Sequence, residues 1–301
     1  MKILVTGGSG FIGSSIIDYA INKKLIKSNI DTIYILSRTK KPNINKKYIK
    51  IKYISNNILD LKKIPRVDFI IYCLRSQNLK ISNNYFDKFL KLLNTLDVKP
   101  KILFTSSGAV YGKKINKKKD IENNKINLNS IKKLKGYKKN YALEKVIIEK
   151  KIASLGKKKY KVSIARCYTF VGKNILKYKY AVSDLINDSL NKPKILIKSK
   201  IKVYRSYMHS YDLANWLILI LKNSKVNCPI YNVGSDKTIR LDLLAKQLAK
   251  ITKKKLNLSL IKSNNFDYYV PNINKAKKEL NLKISINLNR ALNSIIKSQN
   301  E

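Results

Sequence analysis

The feature that most constrains this chain stands at its start, where the apolar run Ile3, Leu4, Val5 leads directly into Thr6-Gly-Gly-Ser-Gly-Phe-Ile-Gly13. A buried strand that turns through glycines into a helix is the geometry of a dinucleotide pyrophosphate site. Gly7 permits the tight turn, Gly10 lets the backbone approach the phosphates, and Gly13 lets the helix pack closely on the strand. Phe11 and Ile12 open that helix, whose N-terminus offers free N–H groups to the anion.

Short apolar, β-branched runs alternate with helical segments through the first half of the chain, which implies a parallel sheet covered on both faces. The pattern predicts strands at Lys2–Val5, Thr32–Leu36, Ile49–Ile54, Asp68–Cys73, Lys101–Thr105 and Lys161–Ala165. The clearest helices are expected at Phe11–Lys23, Ser82–Thr95 and Tyr137–Ala153. Lys113 to Leu134, rich in lysine and asparagine with little periodicity, reads as a solvated loop. After Arg166 the pattern changes. Helices near Tyr180–Leu190, Tyr211–Leu221, Leu241–Thr252, Ile273–Leu280 and Leu288–Ile296 are separated by extended pieces at Lys194–Ile197, Arg205–Met208 and Ile230–Val233. The expected fold class is α/β: a Rossmann-type doubly wound parallel sheet with a smaller mixed α/β C-terminal lobe.

The composition narrows the chemistry. An apolar content of 44% over 301 residues is enough to bury a sizeable core without staples. Cys73, Cys167 and Cys228 are odd in number, widely spaced and set in apolar runs, which suits a reduced, cytoplasmic protein. His209 is the single histidine, so metal ligation by histidines and Ser-His-Asp triads fall away, and a structural or rim role is expected for it. No leader is expected before the first strand, and the longest apolar run, Trp216 to Leu221, is far short of the roughly twenty residues a bilayer span needs. The net charge of +46 raises a nucleic-acid hypothesis. The excess, however, is almost all lysine, spread from end to end alongside asparagine and isoleucine, three residues with A/T-rich codons; a binding patch would be clustered and richer in arginine. No specific nucleic-acid partner and no membrane insertion are therefore expected.

Two later segments carry chemistry. Tyr141-Ala-Leu-Glu-Lys145 lies in a helical stretch, and its spacing of four places phenol and ammonium on one face. A free phenol ionises near pH 10, and a cation within about 4–6 Å lowers that by about 1–3 units, toward working pH. Thr105-Ser106-Ser107-Gly108-Ala109-Val110-Tyr111-Gly112 closes the fifth strand, so its serines emerge at the carboxyl edge where ligands of such sheets bind. Ser107 is the candidate hydroxyl for a reacting oxygen, while Ser106 equally suits backbone capping.

On these residues the chain resembles the extended short-chain dehydrogenase/reductases, in their nucleotide-sugar epimerase/dehydratase branch, over nearly its whole length. The glycine turn, Ser-Ser-x-x-Val-Tyr-Gly, Tyr-x-x-x-Lys, Ala165-Arg166-Cys167 leading to Phe170-Val171-Gly172, Arg205-Ser-Tyr207 before Tyr211-Asp212-Leu213-Ala214, and Tyr231-Asn232-Val233-Gly234 fall in the family's order. The resemblance implies an NAD(P)-binding domain over residues 1–168, with 206–232 packing back onto it, and a smaller nucleotide-sugar lobe from 169–205 and 233–301. It implies catalysis by Ser107, Tyr141 and Lys145, with Lys145 also on the nicotinamide ribose. Gly7, Gly10, Phe11, Ile12, Gly13, Ser37, Arg38, Asn57, Ile58 and Leu74 would contact the cofactor. Thr169, Arg205 and Tyr207, with Ser107, would contact a nucleoside-diphosphate sugar. A homodimer is expected, as relatives commonly form one.

Arg38 follows the second strand where a carboxylate would bind the ribose diol of NAD; a guanidinium there suits a 2′-phosphate, so NADP(H) is favoured, with NAD(H) as the alternative. Few of the 64 basic residues are arginines, which gives weight to Arg38, Arg166 and Arg205 as positions needing fork geometry. Family 4,6-dehydratases carry Asp-Glu after the catalytic hydroxyl residue, and here those positions are Gly108 and Ala109. Thr169, Asn57 and Tyr268 also replace common family residues, leaving sugar and nucleotide open. The leading expectation is reduction of the 4-keto group of a nucleoside-diphosphate 4-keto-6-deoxyhexose. A 4-epimerase with retained NAD is the alternative, ahead of a 4,6-dehydratase and of a Rossmann-fold nucleic-acid-binding protein.

Overall fold

The computed structural model describes the whole chain except residues 24–29, 40, 42, 48, 77, 179, 259–263 and 301. In chain order, β1 (Lys2–Thr6), α1 (Phe11–Lys23), β2 (Thr32–Ser37), β3 (Ile44–Lys46), β4 (Ile49–Ser55), β5 (Phe69–Tyr72), α2 (Leu79–Leu93), β6 (Lys101–Ser107), α3 (Leu128–Lys132), α4 (Tyr137–Lys157) and β7 (Val162–Cys167) form the first part. The remainder is β8 (Phe170–Val171), α5 (Ala181–Asn191), β9 (Lys194–Ile197), β10 (Lys202–Arg205), β11 (Met208–His209), α6 (Ser210–Lys222), β12 (Ile230–Val233), β13 (Ile239–Arg240), α7 (Leu241–Thr252), β14 (Lys255–Leu258), β15 (Phe266–Tyr269), α8 (Asn274–Leu280) and α9 (Leu288–Asn300).

One sheet orders its strands β12-β7-β6-β5-β1-β2-β4-β3; seven are parallel, and β3 is an antiparallel edge. The period of two in its strands explains why both faces are covered. Ile3 and Val5 of β1 pack into the core shared with α1 and α6, whereas Leu4 points to the opposite core with Phe86 of α2 and Ile148 of α4. β5 alternates in the same way, with Phe69 and Ile71 on one side and Ile70 and Tyr72 on the other. The chain leaves β1 toward β2 and returns to β5 on its other side, so the order reverses at β1, beside the glycine turn. Such a switch point opens a crevice at the strand ends. The Rossmann-like α/β architecture expected from the sequence is the one present.

Two expectations change. Lys113 to Leu134 is not simply solvated: it contains α3, and Asp120 within it is buried, paired with Lys114 and accepting from Tyr168 Oη at 3.1 Å. Glu122 accepts from Asn232 N at 2.8 Å. Single acidic anchors in a lysine-rich segment leave no periodic trace. Ile230–Val233, within the stretch expected to pack back onto the first domain, pairs with β7 in the main sheet. The extended piece at Arg205–Met208 divides, with β10 joining β13 and β15 while β11 pairs β8. Among the described residues no helix is long and apolar enough to cross a membrane.

Candidate active site

The glycine turn has the form its sequence requires. Gly7 adopts φ +70°, a left-handed conformation, and its N–H and that of Gly8 both donate to Leu36 O, at 3.0 and 3.2 Å. A Cβ on Gly13 would stand 2.5 Å from Gly8 Cα, so only glycine lets α1 approach this closely. Over Gly10 the space is open except for Gly7 O at 3.3 Å, which leaves a cradle above the N-terminus of α1. A dinucleotide pyrophosphate fits that cradle by shape and by its unpaired N–H groups.

The other expected cofactor residues flank it. Thr6 Oγ1 accepts from Cys73 N and Leu74 N, at 3.2 and 3.3 Å, drawing the β5 end against Gly7. Ser37 Oγ accepts from Thr39 N at 3.2 Å, and Arg38 is exposed at the end of β2. Asn57 uses its side chain to cap the turn Ile58–Asp60, accepting from Leu59 N at 3.2 Å, and Ile58 is buried beneath it. Phe11 is buried against Phe170 and Tyr178, Tyr178 Oη donates to Ser9 O at 2.8 Å, and Ile12 is half-buried beside them.

At the end of β6 three expected residues come together. Lys145 Nζ donates to Thr105 O at 3.1 Å and lies 5.6 Å from the Tyr141 ring centroid. Ser107 Oγ caps the turn that follows, accepting from Ala109 N at 3.2 Å, and also lies beside the Tyr141 phenol. It exchanges a hydrogen bond of 2.9 Å with Tyr269 Oη, which donates in turn to Cys167 O at 3.2 Å. Tyr269 was not visible in the sequence as part of this cluster; it reaches Ser107 from β15, across 162 positions.

The electrostatics differ from expectation. Burial pushes the Tyr141 phenol up to about 12, and the groups drawing it back down are the Ser107 hydroxyl and the Arg75 guanidinium. Arg75, which the sequence reading missed, lies over the Tyr141 ring at 4.5 Å. Lys145 is itself held below the usual lysine range by burial, against the opposing pull of Glu144, whose carboxylate lies 3.9 Å away. The i,i+4 spacing places Lys145 under the ring but directs its ammonium to Thr105.

The remaining arginines and serines of interest have structural partners. Arg166 grips Glu149 bidentately, at 3.0 and 2.8 Å, and donates to Tyr111 Oη at 2.9 Å. Ser106 Oγ donates to the same carboxylate. Arg205 pairs with Asp267 at 2.8 Å. Thr169 Oγ1 donates to Ser206 O. Tyr207 is buried and lines a separate cavity of about 1090 Å³ with Tyr204, Lys277 and Ile284; Ser107, Tyr141, Lys145 and Arg205 are absent from its walls. His209 caps α6, with Nδ1 accepting from Tyr211 N at 3.1 Å.

The sequence profile of the NAD dependent epimerase/dehydratase family matches residues 3–234. The chain belongs to that family. Within it, a dTDP-D-glucose 4,6-dehydratase of Dictyostelium discoideum is 28% identical over 83% of this chain, which spans 62% of that protein's length. The fold closely follows two solved members. A dTDP-glucose 4,6-dehydratase from Bacillus anthracis in complex with NAD superposes with a TM-score of 0.75 at 17% identity, over 99% of this chain and 96% of that one. A UDP-glucose 4-epimerase from Thermotoga maritima with UDP-glucose superposes at 0.73 and 18% identity, over 100% of both. Nucleotide-sugar epimerases and dehydratases, one of them solved with NAD, are the company this family member keeps.

Proposed function

We propose that this family member reduces the 4-keto group of a nucleoside-diphosphate 4-keto-6-deoxyhexose with NADPH, residues 1–168 and 206–232 holding the cofactor and 169–205 with 233–301 the sugar nucleotide. The observation that carries the reading is the convergence of Ser107, Tyr141 and Lys145 at the carboxyl end of β6, beside the glycine crevice, with no carboxylate following Ser107. The nicotinamide, when bound, supplies the hydride.

In this reading Ser107 and Tyr141 hold the carbonyl oxygen between two hydroxyls, and the Tyr141 phenol gives up its proton as that oxygen gains charge. Lys145 and Arg75 stabilise the phenolate that remains. Lys145 is fixed by Thr105 O with further donors available for the nicotinamide ribose. Arg38, exposed and unburdened by burial, suits a 2′-phosphate. Arg205 approaches the nucleotide diphosphate by exchanging Asp267 for phosphate oxygens.

A second reading, a 4-epimerase with retained NAD, uses the same three residues and is supported by the similarity to a UDP-glucose 4-epimerase. Stoichiometry separates the two. Reduction consumes one NADPH per sugar turned over, whereas epimerisation of UDP-glucose converts sugar with no net consumption. Turnover of neither substrate class would remove both readings.

A further inference from the structure

We propose that Arg75 is a positioning residue for the Tyr141 phenol, its guanidinium lying on the ring face and favouring release of the proton. This rests on Tyr141 being the proton donor of the proposed reaction. Arg75 follows β5, on the strand-end edge that faces the crevice, and its guanidinium carbon is 4.5 Å from the Tyr141 ring centroid. That is closer than Lys145 Nζ, at 5.6 Å.

The two cations are not equivalent. Lys145 is buried, bound to Thr105 O, and shares its field with Glu144 at 3.9 Å. Arg75 forms no salt bridge among the described residues, and it acts on the Glu144 carboxyl only at longer range than Lys145 does. The groups facing the phenol are Ser107 from β6, Cys167 from β7, Glu144 and Lys145 from α4, Tyr269 from β15 and Arg75 from the segment after β5. Burial, Cys167 and Glu144 favour the neutral phenol; Ser107 and Arg75 favour the anion. Arg75 also acts on the Tyr180 phenol, opposing the burial that raises it. A planar guanidinium also stacks on an aromatic face in a way a lysine ammonium does not, so it orients the ring as well as charging its surroundings.

Because Arg75 is solvent-exposed, water damps its effect, and a shift near the low end of what a neighbouring charge produces is expected. The test uses the full chain labelled with 3-fluorotyrosine, whose phenols ionise at lower pH than tyrosine and stay within the range of a folded protein. The Tyr141 ¹⁹F resonance is the one lost in Tyr141→Phe. Arg75→Gln should raise its titration midpoint by about half a unit or more, and Arg75→Lys should restore only part of that. With NADPH and a nucleoside-diphosphate 4-keto-6-deoxyhexose, Arg75→Gln should lower kcat severalfold and leave KM nearly unchanged. An unmoved midpoint in folded Arg75→Gln overturns the proposal, as does a raised KM with kcat intact, which would make Arg75 a substrate-binding group. Should the wild-type protein turn over no nucleotide sugar, the proposed reaction fails while the resonance still decides the role of Arg75.

Discussion

Tyr168 lays its ring so closely on Gly108 that a Cβ there would stand 2.4 Å from the ring's Cζ. The ring is fixed on both sides, its hydroxyl donating to the buried Asp120 at 3.1 Å and its face lying 4.5 Å from Tyr269. The position after Ser107 is therefore filled by an aromatic side chain where loss of water from the sugar would call for a carboxylate.

Gly108→Asp with Ala109→Glu is expected to yield an overpacked site rather than a dehydratase. Displacing Tyr168 should cost about 1–3 kcal/mol or more, read as a lower urea midpoint, with no 4-keto-6-deoxy product formed from a nucleoside-diphosphate hexose.

Tyr141→Phe removes the proton donor and keeps the ring under Arg75. Turnover should fall by at least about 10²-fold, with cofactor affinity by fluorescence titration nearly unchanged. Retained turnover would exclude Tyr141 from proton transfer.

Arg38→Asp should reverse the coenzyme preference. The ratio of kcat/KM for NADPH over NADH is expected to drop about tenfold or more, the equivalent of losing ~1.4 kcal/mol of phosphate binding. An unchanged ratio would mean that the end of β2 does not read the 2′ position.

Burial tends to raise the Asp267 carboxyl, but Arg205 and Lys138 outweigh it and hold it below the usual carboxylate range. A depressed folded-state value stabilises the fold fully above the unfolded value, and that contribution is lost as pH falls through the folded one. Asp267→Asn should therefore show a stability deficit at neutral pH that vanishes at strongly acid pH. The deficit should stay within about 1 kcal/mol because the pair is partly exposed. The freed Arg205 should lower KM for the nucleotide sugar by about twofold to tenfold.

Much of this architecture was legible because it is local. The glycine turn, the alternating strands through β7 and the i,i+4 pair in α4 are written within short windows. What escaped depends on distant contacts. Arg75 follows β5 without any recognisable spacing, and only the packing of α4 beside β6 brings Tyr141 beneath it. Tyr269 lies in a strand too short to announce itself, and Asp120 and Glu122 look like solvated charges until Tyr168 and Asn232 are placed against them. Arg166 was rightly singled out as a residue needing a guanidinium fork, but the fork serves Glu149 and Tyr111 inside the core.

The central claim is that hydride moves between the nicotinamide and C4 of the sugar while Tyr141 handles the proton. It is tested most directly by supplying NADPH deuterated at the transferable position of the nicotinamide, together with a nucleoside-diphosphate 4-keto-6-deoxyhexose, and locating the label by NMR. The account expects one deuterium per product at C4, with labelled product accumulating at least about 10²-fold more slowly with Tyr141→Phe. Deuterium at another carbon, or consumption of the cofactor with none in the sugar, would contradict it.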